Sequence, residues 1–171
     1  MLNRLPEIIE PLHLADKRGS LKGQLPINGL KRLCELLYSD EGLVTVDLFF
    51  NREGRLAIVA GTIQAELQLK CQNCLEALAW SVNHTVNLAI VNSIDQVNRL
   101  SEDYDPLLLE QGTMLLKDLV EDEILLSLPI YPKHQHSCFV ATDNHKTNLS
   151  EEKSASTNPF SILATLKNIG D

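Results

Sequence analysis

The 171-residue chain lacks any apolar run approaching the ~18 residues that a membrane span requires. It also lacks the charged-then-apolar opening of a secretory leader, because Leu2, Leu5, Ile8 and Ile9 are interrupted by Arg4, Pro6 and Glu7. The expectation is a cytoplasmic protein with no membrane contact. Positive charge is in deficit: 15 Lys and Arg face 23 Asp and Glu, a formal charge of -8. Simple electrostatic capture of nucleic acid needs clustered cations, so this balance argues against it. No glycine-rich phosphate loop, dinucleotide fingerprint or Ser-His-Asp set appears, and the common enzyme signatures are absent with them. Cysteine is scarce at four residues; in a reducing compartment these read as ligands or buried thiols rather than disulfides.

What is present is an apolar content of 44%, enough for a folded core at this length. Charge is unevenly spread. Residues 1–33 carry six basic and three acidic side chains, whereas residues 95–128 carry two basic and nine acidic. A basic protein could meet the acidic stretch and phosphate the basic one, although an ordinary acidic surface accounts for the same counts.

The most informative stretch is Lys70-Cys71-Gln72-Asn73-Cys74-Leu75. Before it, Ile63, Ala65, Leu67 and Leu69 alternate; after it, Leu78, Trp80, Val82, Val86, Leu88 and Ile90 do the same. Period two marks strands with one buried face, which puts Cys71 and Cys74 at the tip of a hairpin. His84 falls in that apolar phase and reads as a sheet histidine rather than a ligand.

Other segments fill in an α+β fold. A short alternating piece lies around Pro11–Leu14. From Pro26, the residues Ile27, Leu30, Leu33, Cys34 and Leu37 share one helical face, with Gly42 as a stop signal. Cys34 is therefore read as a buried thiol. Residues 43–50 alternate as a strand, Asn51–Gly54 turn, and a further strand starts at Leu56. Its apolar phase passes from even to odd positions across Gly61, which predicts a bulge or bend. Residues 92–112 read as an acidic connection. Residues 113–127 read as a second main helix capped by Thr113 and ended near Leu128-Pro129. Its run Val120-Glu121-Asp122-Glu123 reads as a solvated acidic face, since adjacent acids on a helix diverge. The sum is an antiparallel β-meander, or partly open barrel-like sheet, packed by two main helices. Residues 1–140 form the single α+β domain, 141–157 a disordered linker, and 158–171 a short amphipathic helix led by Asn158-Pro159.

Cys71-x-x-Cys74 with His134, His136 and Cys138 offers the donors of a tetrahedral zinc site. The set that fits is Cys71, Cys74, Cys138 and His134, with His136 as the alternative nitrogen. Surface thiols and loop histidines are the competing reading. A dithiol redox centre is the other, but such chemistry uses a thiolate at a helix N-terminus after a strand. Here the pair lies between two strands.

Taken together, Leu69-Lys-Cys71-Gln-Asn-Cys74-Leu75, Leu119-Val-Glu-Asp-Glu-Ile124 before Leu128-Pro129, the loop ending at Cys138, and Asn158-Pro-Phe160 with Leu163, Leu166 and Lys167 resemble the YceD family of large ribosomal RNA subunit accumulation proteins. The resemblance runs along essentially the whole chain. It implies a non-enzymatic bacterial factor supporting accumulation of large-subunit (23S) ribosomal RNA, in ribosome assembly or rRNA processing. The implied partners are that rRNA or a precursor ribosomal particle, with a basic ribosomal protein or rRNA-processing factor as a protein route. Many relatives carry a fuller set of C-terminal cysteines; this chain has Cys138 there, beside His134 and His136. A small zinc-binding or Cys-x-x-Cys redox protein is the alternative from a different class.

Overall fold

The computed structural model describes residues 5–109 and 111–138; the expected linker at 141–157 and helix at 158–171 lie outside the described residues. Along the chain the elements run β1 (Ile8–Ile9), α1 (Pro11–Asp16), β2 (Ser20–Pro26), a 3-10 turn (Ile27–Gly29), α2 (Lys31–Cys34), β3 (Leu37–Ser39) and β4 (Leu43–Glu53). They continue as β5 (Leu56–Lys70), β6 (Ala77–Val91), α3 (Ile94–Val97), β7 (Asp105–Leu108), β8 (Met114–Leu115) and α4 (Leu116–Ser127). The main sheet has the order β2-β4-β5-β6-β7, with β3 pairing the far end of β5 beyond β4. Among the described residues the sheet is open, not a closed barrel.

The mixed α+β class and the largely antiparallel sheet follow the alternation in the sequence. β5 and β6 pair without interruption from Ala57↔Ile90 to Lys70↔Ala77, and Cys71 and Cys74 sit in the turn that joins them. One face of the sheet buries Val46, Leu48, Phe50, Ile63, Leu67, Val86 and Leu88. Leu116, Leu119, Val120 and Ile124 of α4 join the same core, as do Ile27, Leu30 and Leu33. Each such side chain removed from water contributes roughly 1.5–3 kcal/mol.

Several expectations are revised. The helix predicted from Pro26 shrinks to the 3-10 turn and the four residues of α2. Leu30 departs from helical geometry at φ -100° and ψ 85°, and Leu37 pairs with Leu69 instead of continuing the helix. The apolar residues at 27, 30, 33 and 37 still reach the core, so tertiary packing overrides the helical period. α4 is thus the one long helix among the described residues. It starts at Leu116 rather than at Thr113, because Met114 and Leu115 pair with Ile9 and Ile8. Pro11–Leu14 is helical, with Pro11 at the first turn where its missing N–H costs nothing. The acidic connection contains β7, which lies parallel to β6, so the meander is not wholly antiparallel.

Gly61 also differs from expectation. The register of β4, β5 and β6 is unbroken through Leu48↔Gly61↔Val86, with no bulge. Odd positions of β5 face the core along its whole length. Ile58 is apolar because the other face is covered at this end as well: Ile58, Ala89 and Val91 are buried outside the main core. The loop at 101–104 crosses there, with Asn87 donating to the Asp103 carbonyl at 2.6 Å and the Tyr104 hydroxyl to Glu53 at 2.6 Å. Gly61 itself has φ +156°, and a Cβ on it would lie 2.1 Å from the Asp47 carbonyl oxygen. β4 passes too close for any side chain.

Candidate metal centre

The knuckle is built from backbone hydrogen bonds before any donor side chain is considered. Cys71 N–H donates to Glu76 O at 3.0 Å, and Leu75 N–H donates back to Cys71 O at 2.9 Å. Leu75 takes φ +64° to close this turn, a left-handed conformation that costs a non-glycine residue about 1–2 kcal/mol. The segment after α4 is tied to it by Gln72 N–H donating to Pro132 O at 2.9 Å. That bond places residues 134–138 against the hairpin tip.

There the sulfurs of Cys71, Cys74 and Cys138 and a ring nitrogen of His134 all lie within 4.8 Å of one another. Cys71 Sγ is 3.7 Å from Cys138 Sγ, and Cys74 Sγ is 3.5 Å from His134 Nδ1. Two sulfurs each ~2.3 Å from a tetrahedral zinc are about 3.8 Å apart, and a sulfur and an imidazole nitrogen about 3.6 Å. Both observed separations match the edges of that tetrahedron. The other ring nitrogen of His134 lies 3.2 Å from the Ala77 carbonyl, where Nε2–H donates and leaves Nδ1 as the acceptor that faces the thiols. Metal-bound histidines are commonly oriented by such a second bond.

Charge in the cluster follows from the same contacts. Burial pushes the fully buried Cys71 thiol up, but backbone N–H groups of Cys74, His134 and Asn73 outweigh it and hold the group at about 5. The Cys138 thiol is raised, by burial first and then by its contacts with Cys71 and Cys74. A bound cation would favour the thiolate form of the three sulfurs that converge here.

The four residues Cys71, Cys74, His134 and Cys138 are brought together. His136 is not among them; its ring packs on His134 with centroids 4.8 Å apart. Cys34 is also apart, its thiol donating to the Ile27 carbonyl at 3.3 Å, and burial raises its pKa. His84 lies on the inner sheet face, 2.8 Å from Glu123 of α4. The acidic run on α4 is not a solvated face. Glu121 and Glu123 are buried, and Glu121 accepts from Leu33 N–H at 3.0 Å and Arg32 Nε at 2.9 Å. It supplies the N-terminal cap that α2 lacks in its own sequence. The sole cue to that role is that an acid recurs beside core positions 119, 120 and 124.

A family model described as "Large ribosomal RNA subunit accumulation protein YceD" matches residues 59–167, a span that contains both halves of this cluster. The chain belongs to the YceD family. The large ribosomal RNA subunit accumulation protein YceD of Haemophilus influenzae is 30% identical over 169 residues, covering 96% of this chain and 97% of that protein. No solved structure matches this YceD-family chain. No helix among the described residues is long and apolar enough to cross a membrane.

Proposed function

We propose that this chain is a non-enzymatic factor supporting accumulation of large-subunit ribosomal RNA, acting in ribosome assembly or rRNA processing through protein and RNA contacts. The observation that carries this reading is the near full-length similarity to the Haemophilus influenzae protein of that name. Cys71, Cys74, Cys138 and Nδ1 of His134 hold a structural zinc ion in this reading. Three thiols and one imidazole form a closed donor set, without the open position that a catalytic zinc keeps. The ion's chemistry is confined to crosslinking the hairpin tip to the 132–138 loop. The fold then presents a fixed surface rather than a reaction centre.

Deleting the gene should lower the ratio of large- to small-subunit rRNA, and the intact chain should restore it; an unchanged ratio would sink the proposal. Elemental analysis of purified protein should find one zinc per chain, with three thiols shielded from alkylation. A dithiol redox role is the second reading, favoured by the low pKa of Cys71. Its burial opposes that reading, since an attacking thiolate must reach its target. Turnover in a thiol-disulfide exchange assay, lost on Cys71→Ser and Cys74→Ser, would decide for the redox role.

A further inference from the structure

At the opposite end of the β5–β6 hairpin from the cysteines, a cavity of about 450 Å³ opens between α1, the β4–β5 turn and α3 with its following loop. Three arginines line it, Arg52, Arg55 and Arg99, and no carboxylate does. This is notable in a chain whose formal charge is -8. Arg52 is oriented by Asp16 and by its own bond to the Arg55 carbonyl at 3.2 Å. Neither Arg55 nor Arg99 has an ion-pair partner among the described residues. Of the acids near the rim, Asp16 pairs with Arg52 itself, while Glu53 accepts from the Tyr104 hydroxyl and Asp103 from Ser101, so Arg55 and Arg99 carry the unpaired positive charge.

The remaining polar wall is also rich in donors. Gln96 Oε1 accepts from Asn92 N–H at 2.8 Å, which leaves the Gln96 amide NH2 as a donor. Leu12, Leu56 and Ile90 add an apolar lining that is more buried than the exposed arginines. Guanidinium forks match phosphate oxygens two at a time and also stack on bases. An apolar lining with a cationic rim is therefore suited to a nucleotide unit with its base inward and its phosphates on the rim. The volume lies in the range of small-ligand sites.

We infer that this arginine cleft receives a short single-stranded RNA segment, through phosphodiester contacts to Arg52, Arg55 and Arg99. A basic protein, the other partner class for this acidic chain, would be repelled by the same rim. The inference rests on the large-subunit RNA reading above and names where RNA would be held. The acidic charge of the chain as a whole would disfavour phosphate over much of the remaining surface and so favour this position for the strand.

The test is fluorescence anisotropy of the full chain with a labelled twelve-nucleotide single-stranded RNA. Three phosphate contacts predict a log-log salt slope of about -2, and roughly a 20-fold loss of affinity between 50 and 200 mM salt. Arg55→Gln with Arg99→Gln should weaken binding at least ~10-fold at low salt and reduce the slope to about -0.7. Both side chains are exposed, and an unchanged thermal melt establishes that the variant is folded. Lys17→Gln with Lys22→Gln, in the other basic segment, should leave binding unchanged. Competition by adenosine monophosphate as strong as by the oligonucleotide would overturn the RNA assignment in favour of a free nucleotide. No binding at 50 mM salt, equal loss in the Lys17/Lys22 variant, or an unaffected Arg55/Arg99 variant would overturn the cleft. These results are separable from the gene deletion: normal rRNA there sinks the cellular role, and failed oligonucleotide binding sinks only the cleft.

Discussion

The two ends of the β5–β6 hairpin solve the problem of staying ordered in different ways. At the end near Leu56 and Val91, both faces of the strands are covered, by the core on one side and the 101–104 loop on the other. At the cysteine end, Gln64, Glu66, Gln68 and Lys70 are exposed between buried neighbours, and Trp80 is 36% exposed. With less apolar surface to bury, the tip relies on the backbone turn and the Cys71, Cys74, His134 and Cys138 cluster. Fourteen residue steps of strand separate the ends, roughly 45 Å if straight. One end offers soft donors for a metal, the other a cationic cleft. The lesson is that a single hairpin can carry two chemistries when each end is anchored by its own means.

The comparison can be broken in graded ways. Gly61→Ala, between the two ends, should cost both alike, by about 3–5 kcal/mol, because its Cβ meets the β4 backbone at 2.1 Å and its φ is positive. Urea denaturation checks this; a loss below ~1 kcal/mol would mean that β4 can move away. Cys71→Ser should cost zinc-loaded protein about 3 kcal/mol, the linkage lost with a bound ion, and act on one end. Hydrogen exchange should quicken around Lys70–Trp80 while amides near Val59 and Leu88 stay protected. Equal quickening at both ends would refute separate anchoring. Glu121→Ala should destabilise by about 2 kcal/mol, since it leaves the buried Leu33 N–H without its acceptor. RNA affinity at the arginine cleft should not change, and a change would show that α2 and the cleft are coupled. The smallest effect belongs to Leu75→Gly. Relief of φ +64° slightly exceeds the ~0.5–1 kcal/mol of glycine entropy, for a net gain below ~1 kcal/mol in melting experiments.

Legibility in the sequence follows the same division. Where β5 and β6 have one covered face, the alternation of Ile63, Ala65, Leu67 and Leu69 led directly to the hairpin and to the position of Cys71 and Cys74. Where both faces are covered, Ile58 broke the alternation and imitated a bulge at Gly61. The donors His134 and Cys138 were readable by residue type. The Gln72–Pro132 backbone bond that brings their loop to the tip leaves no mark on side-chain pattern. Nor does the selection of His134 over His136, which depends on the Ala77 carbonyl 57 residues away. The arginine cleft was hidden for a related reason. Arg52 lies at the end of β4, Arg55 in the turn after it, and Arg99 beyond α3 in a segment of acidic balance, so the three are scattered along the chain. Glu121 shows the reverse case: an acid run that resembled solvated surface holds the short α2 against α4 because α4 turns it inward.

The 3.7 Å approach of Cys71 and Cys138 joins residues 67 apart in the chain. A metal there would close a loop that encloses β6, α3, β7 and α4, including the helix that seals the core. To bind the same ion, the unfolded chain would have to give up loop entropy worth about 4 kcal/mol by loop statistics. The ion would therefore bind the folded chain, where that closure is already made, in preference to the unfolded one. A long-range closure of this kind is costly to form early. Folding would proceed through the neighbouring pairs β2-β4, β4-β5 and β5-β6, with the ion fastening the finished product.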